Sequence, residues 1–313
     1  LNPFMHRLAG SGDRSNAAPT SIDLARDSGC AGASDRATEK PDPTIVPVPP
    51  AATDVGRRNT EHWRDRNRYT RVMRAVRFLL LQVRSPNDPM REHEICCFTE
   101  TIGCEASNLR AVDLINDDIS ESLIRSYDVV LIGGAGEYSV ATGGGWLPRA
   151  LDFMRLLHDQ SIPTFASCWG FQALARALGG EVIHDIGQAE VGTYDLTLTS
   201  EGRADPVFGA LGSPFTAQLG HEDHVVALPP GAVRLAFSER TPNQAYRIEG
   251  KPMYATQFHP ELTGEHLLTR LQRYPKYVEE VAGTTFDELR ERTRESPAAS
   301  TLMNRFLESV FGA

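Results

Sequence analysis

The chain has 313 residues, a formal net charge of −9, 41% hydrophobic and 23% charged residues, and five cysteines. That length accommodates one large domain or two small ones with ample apolar material for a core, and the excess of 41 acidic over 32 basic side chains argues against a general nucleic-acid binder. No window approaches the ~18 consecutive apolar residues of a membrane span, and an odd cysteine count without framework spacing argues against a secreted disulfide scaffold, so a reducing cytoplasm is the expected compartment.

Residues 1–72 hold three aromatics (Phe4, Trp63 and Tyr69), a proline-dense stretch from Pro41 to Pro50, and no apolar periodicity. Such a segment cannot bury enough apolar surface to offset its ordering entropy, so a disordered extension is predicted. It lacks the apolar core of a signal peptide, and its scattered acidic residues fit a transit peptide poorly. Arg57, Arg58, Arg64, Arg66, Arg68, Arg71, Arg74 and Arg77 form a basic run that could touch a polyanion, although a solvated linker is the simpler reading. Met73, just ahead of the first strand-like run, is an alternative start, which would leave residues 1–72 untranslated.

From there strands and helices alternate. Ala75–Val83 and Tyr127–Ile132 are β-rich runs, the second ended by Gly133-Gly134. Helical spacing follows over Leu147–His158, carried by Leu151, Met154, Leu157 and His158. A strand over Ile162–Ser167 leads into a helix over Trp169–Leu178, which Gly179-Gly180 stops. Buried strands alternating with helices imply a mostly parallel sheet covered on both faces, an α/β three-layer sandwich. Between Gly192 and His259 the apolar runs shorten and Thr, Gly and Pro increase, which predicts antiparallel strands at one sheet edge. The segment 266–313 reads as a helical C-terminal extension to a domain over 73–265. In it, Thr285 to Glu288 fits a capping box, and Leu302, Met303, Phe306, Leu307, Val310 and Phe311 make an apolar stripe. Packing of that stripe on the parent domain is the first reading and a homodimer surface the second.

Three stretches carry chemistry. In Pro163 to Gln172 a strand enters a helix with Ala166, Cys168 and Gly170 in sequence. This is the layout of a nucleophile elbow, where small flanking residues let the turn close. Cys168 then stands at a helix N-terminus, where free amides and the helix dipole favour a thiolate, and the Trp169 amide points at the same place. In Ala255 to Glu261, His259 and Glu261 are two residues apart, a spacing that puts both on one face of a strand. They would supply the base that a thiol nucleophile needs and the acid that orients it. The third stretch, Leu131 to Val140, is a glycine-rich loop after a buried strand; it is neither a phosphate loop nor GxGxxG and fits an oxyanion-binding role. No metal site is predicted: Cys96-Cys97 and Cys104 form no CxxC pairs, and His221-Glu222-Asp223-His224 lacks the spacing of HExxH.

Taken together these segments resemble the class I (triad) glutamine amidotransferases, most closely the amidotransferase domain of GMP synthases and its free-standing relatives. The resemblance covers roughly 76–265. It rests on Gly133-Gly134, the Ser-Cys168-Trp-Gly-Phe-Gln172 elbow, Glu190-Val191-Gly192, Gly220 to Val225, Gln244-Ala-Tyr, and Gln257-Phe-His259-Pro-Glu261. It implies a flavodoxin-like fold and a reaction in which Cys168 attacks the γ-carboxamide of L-glutamine. His259 would act as base and then acid, Glu261 would orient it, and the amides of Gly134 and Trp169 would hold the oxyanion. Gln172 and the backbone near Glu222 and Asp223 would hold the amino-acid end of the substrate, with no cofactor. The chain departs from the family pattern in carrying Ala166 where many relatives have Gly, and Gly-Gly-Ala-Gly-Glu where GMP synthases have Gly-Gly-Pro. It also has no Ser-Gly-Gly-x-Asp-Ser loop for activating an acceptor with ATP. Free-standing members either pass ammonia to a separate synthetase or hydrolyse γ-glutamyl amines or peptides outright. A non-catalytic binding protein on the same fold is a third reading, against which the complete triad speaks.

Overall fold

The computed structural model describes residues 75–312, and the predictions for 1–72, including the start at Met73, lie outside the described residues. In chain order the elements are β1 (Phe78–Val83), α1 (Met90–Ile102), β2 (Leu109–Asp113), α2 (Glu121–Arg125), β3 (Val129–Ala135), α3 (Leu147–Asp159), β4 (Thr164–Ser167) and α4 (Trp169–Ala177). They are followed by β5 (Glu181–His184), β6 (Glu190–Leu198), α5 (Ser200–Ala204), β7 (Phe215–His221), β8 (Asp223–Ala227), β9 (Ala232–Phe237), β10 (Ala245–Ile248) and β11 (Met253–Thr256). The last helices are α6 (Gly264–Arg273), a π-helical turn at Tyr277–Val281, α7 (Phe286–Arg292) and α8 (Leu302–Phe311).

The main sheet runs β2-β1-β3-β4-β11-β10-β9-β6-β7. It is parallel from β2 to β11 and antiparallel from β11 to β7. The sheet is therefore mixed, and the antiparallel part expected after Gly192 occupies one whole edge. A separate antiparallel pair, β5 with β8, stands beside it.

Strand alternation builds two faces. Phe78 and Leu80 of β1, Val129 and Leu131 of β3, and Phe165 of β4 face a core closed by Phe98 of α1 and by Leu302, Met303 and Phe306 of α8. Leu79 and Leu81, Val130 and Ile132, and Ala166 face the opposite core, closed by Met154 and Leu157 of α3 and by Phe171 and Leu174 of α4. Helices thus cover both faces, giving the three-layer α/β sandwich that unbroken apolar strands predict. The apolar stripe of α8 is spent inside the domain: Phe306 meets the rings of Phe165 and Tyr254 at 5.6 and 5.8 Å between centroids. The capping box also forms, with the Thr285 hydroxyl accepting from the Glu288 amide and the Glu288 carboxylate accepting from the Thr285 amide. No described helix is long and apolar enough to cross a membrane.

Candidate active site

The corner between β4 and α4 is where the backbone is most constrained. Cys168 has φ 51° and ψ −102°, a positive φ that a side chain adopts only when its surroundings enforce it. Its amide donates to the Thr256 carbonyl at 2.8 Å, which ties the corner to the end of the adjacent parallel strand β11. Gly170 lets α4 lie against β3: a Cβ there would stand 2.7 Å from Ile132 Cγ2. Cys168 is buried, and its thiol lies 3.7 Å from the Gly220 carbonyl.

His259 and Glu261 meet by a route other than strand alternation. β11 stops at Thr256, and Pro260, which has no amide to donate, belongs to the turn that follows. That turn is anchored by the His259 amide on the Gln218 carbonyl at 2.9 Å and the Gln257 amide on the Gln244 carbonyl at 2.8 Å. His259 Nδ1 and Glu261 Oε1 are 2.6 Å apart, both residues buried. Burial alone would lower the pKa of His259, but the Glu261 carboxylate and the Cys168 sulfur outweigh it and raise it to about 9. Burial alone would raise that of Glu261, and His259 and Arg270 hold it below the ordinary carboxylate value.

The glycine-rich loop converges on the same point. Gly134, next to last in β3, lies so close to the pair that a Cβ on it would stand 2.8 Å from His259 Cε1 and 3.6 Å from Cys168 Cβ. Trp169 opens α4 directly after Cys168; the first amides of a helix have no partner within it.

In front of Cys168 lies a cavity of about 610 Å³ lined by, among others, Trp169, Gln172, Glu222, Asp223, Lys276 and Tyr277. The three residues expected to hold the substrate therefore line the same cavity as Cys168. Gln172 Nε2 donates to the Asp223 carbonyl at 2.8 Å. The Asp223 carboxylate accepts from Ser139 Oγ and from the Ala141 amide, at 2.7 and 2.9 Å, and faces His184 Nδ1 at 3.0 Å. Glu222 faces Lys276 Nζ at 3.5 Å. Burial, and then the neighbouring Cys168, Glu222 and Asp223, keep the Tyr277 hydroxyl protonated well above its ordinary range, leaving an O–H donor at the cavity. His221, singled out as a metal-ligand type, lies 3.2 Å from Glu190 Oε2 through Nε2 and 3.0 Å from the Asp223 carbonyl through Nδ1.

Behind Glu261 runs a ladder of alternating charge that sequence reasoning missed. Arg270 Nη1 of α6 is 3.7 Å from Glu261 Oε1, and its Nη2 is 3.8 Å from Glu94 Oε1 of α1. Glu94 accepts two bonds from Arg84, at 3.0 and 3.2 Å, and one from Gln82 Nε2 at 3.0 Å. Arg84 Nη1 donates to the Tyr274 hydroxyl at 2.9 Å, and that hydroxyl donates to Asp88. Tyr274 also lines the cavity, so the ladder ends beside the substrate wall.

The family model of class I glutamine amidotransferases matches residues 98–271. A GMP synthase [glutamine-hydrolyzing] of Shewanella pealeana is 30% identical over 154 residues, covering 47% of this chain and 28% of that protein. The protein of the same name from Aliivibrio salmonicida is 31% identical over 169 residues, covering 53% of this chain and 30% of its own. The chain thus spans about three tenths of the length of these curated relatives. Among solved structures, a glutamine amidotransferase of Thermotoga maritima superposes with a TM-score of 0.60 at 21% identity, covering 76% of this chain and 99% of that one. At that identity the superposition speaks for the fold alone.

Proposed function

The chain belongs to the class I glutamine amidotransferases, and from that premise we propose that it hydrolyses L-glutamine to glutamate and ammonia through Cys168, His259 and Glu261. The observation that carries the reading is the convergence of a positive-φ cysteine, a histidine 2.6 Å from a buried carboxylate, and a glycine so near both that an added Cβ would stand 2.8 Å from His259 and 3.6 Å from Cys168. With its pKa raised beside Glu261, His259 holds the Cys168 proton as an imidazolium, and the thiolate attacks the carboxamide carbon. The amides of Gly134 and Trp169 hold the oxyanion that forms. When the tetrahedral species collapses, the C–N bond breaks and the imidazolium gives its proton to departing ammonia. A water deprotonated by His259 then cleaves the glutamyl thioester and restores the thiol. Glu261 keeps the imidazole oriented throughout, and Gln172, Glu222 and Asp223 hold the amino-acid end. Ammonia is passed to a separate acceptor enzyme, in keeping with relatives named as glutamine-hydrolysing GMP synthases. On this reading the amidotransferase domain runs from 73 to 265, with 266–313 as its helical extension.

A second reading, hydrolysis of a γ-glutamyl amine or peptide by the same triad, is favoured by the cavity. Its volume of about 610 Å³ lies in the range of sites for drug-sized ligands and exceeds what one small amino acid fills. The test is glutamate release from millimolar L-glutamine by the purified chain beside its Cys168→Ser variant. Release that vanishes in the variant supports the glutaminase, and an equal rate in the variant overturns Cys168 as nucleophile. Silence toward glutamine with thiol-dependent turnover of γ-glutamyl amines selects the second reading.

A further inference from the structure

We propose that His93, Cys97 and His266 form a binding site for a single divalent transition-metal ion of zinc type, bridging α1 and α6. The proposal stands independently of the substrate. His93 and Cys97 are four residues apart on α1, so they share one face of the helix. His266 stands in the first turn of α6, opposite them. One donor atom from each of the three lies within 4.8 Å of the others. Cys97 Sγ is 3.6 Å from His93 Nδ1 and 3.8 Å from Nε2. A tetrahedral zinc ion, with bonds of about 2.3 Å to sulfur and about 2.0–2.1 Å to nitrogen, needs a sulfur–nitrogen edge of about 3.6 Å. The His93–Cys97 edge is already at that length.

His266 completes the donor set, with a carboxylate near one ring nitrogen and the other unpartnered. Its ring meets His93 edge to face, with centroids 5.3 Å apart. Its Nε2 faces the Glu100 carboxylate at 3.5 Å, while its buried Nδ1 has no hydrogen-bond partner. A carboxylate on one ring nitrogen, leaving the other to the ion, is the usual outer-shell arrangement for histidine ligands. Two imidazoles and one thiolate select zinc, cobalt(II) or a similar ion over magnesium or calcium. The Cys97 proton leaves to solvent on binding, and a water takes the fourth position.

None of the three ligands lines the cavity at Cys168, which makes the ion structural or regulatory rather than catalytic. Its position gives it leverage nonetheless. Glu94 follows His93 directly on α1, and Arg270 lies one turn beyond His266 on α6. An ion joining the helices there fixes the Glu94–Arg270 contact that backs Glu261. The sequence conceals the site because its ligands come from helices about 170 residues apart, with no CxxC or HExxH spacing.

The experiment is cobalt(II) titration of the full chain carrying Cys168→Ser, so that the active-site thiol does not compete. The expected result is one equivalent bound with a thiolate-to-cobalt charge-transfer band, displaced by zinc, and zinc raising the Tm by several degrees. Cys97→Ala is expected to remove the band, and His266→Gln, at a half-buried position, to weaken cobalt binding at least tenfold while leaving the fold intact. No binding at micromolar cobalt overturns the proposal. So does a spectrum unchanged in His266→Gln, or one that survives Cys97→Ala but is lost in Cys96→Ser.

Discussion

The two sides of His259 are built on opposite terms. Behind it, Glu261, Arg270, Glu94 and Arg84 are all buried and alternate in sign. In front, the cavity wall includes side chains as open as Lys276, at 59% exposure, and His184, at 37%. His259 and Glu261 are therefore positioned from the dry side, where charges removed from water depend on one another. The cavity opens on the wet side, where a single ion pair is worth little. The contrast teaches that geometry and specificity sit on separate surfaces here and should fail separately.

The largest effect belongs to the reacting atom. Cys168→Ser is expected to cut glutamate release by on the order of 10³-fold or more while leaving the circular dichroism spectrum and urea midpoint near those of the parent. Next comes the dry side. Glu94→Ala leaves Arg84 and Arg270 facing each other without the carboxylate between them, and should cost about 3–5 kcal/mol in urea denaturation. An unchanged midpoint would show that the ladder is dispensable. Gly134→Ala presses a methyl against His259 Cε1 at 2.8 Å. It is expected to lower kcat roughly 10²-fold with little change in stability, because displacement of a catalytic group by about an ångström has that scale.

A smaller signature lies in pH. Because folding raises the pKa of His259 to about 9, its protonated form stabilises the fold fully below its unfolded value of about 6.5, and that contribution is lost as pH rises through the folded value. Glu261→Gln removes the leading cause of the raised value, so the imidazole resonance should titrate at least about one unit lower by NMR. The alkaline loss of stability should shrink with it. The smallest effect is expected on the wet side. Lys276→Ala should move KM severalfold at nearly constant kcat and leave stability within about 0.5 kcal/mol of the parent. If it unfolded the protein, the separation of the two surfaces would be wrong.

The nucleophile elbow was legible because its determinants are local: small residues around Cys168, a strand before it and a helix after it. His259 and Glu261 were legible as a pair for the same reason, although Pro260 places them in a turn rather than on one strand face. The ladder was not legible. Glu94 and Arg84 look like ordinary solvated charges in a one-dimensional reading, and α1 turns Glu94 and Cys97 inward together with Phe98. A helix that buries charge loses the apolar periodicity by which helices are found, so α1 escaped prediction along with its partners. Tyr274 and Tyr277 reach the cavity only through the fold of the C-terminal helices, and no spacing rule connects them to residue 168. The one available signal was Gly133, where a Cβ would stand 2.5 Å from Glu94 Oε1: the second glycine of the loop makes room for His259, and the first makes room for the ladder.

The strand order bears on how the enzyme comes into being. The turn carrying the nucleophile is framed early by β3 and β4, which lie close in the chain, whereas β4 and β11 pair only after a loop of roughly ninety residues has closed. Contacts of such long sequence separation form slowly, because the chain's closure entropy is lost before they compensate for it. That late pairing also brings the Thr256 carbonyl that holds the Cys168 amide, so the corner and His259 are completed together. A refolding experiment should find native-like secondary structure preceding the recovery of turnover, with activity appearing as the last kinetic phase.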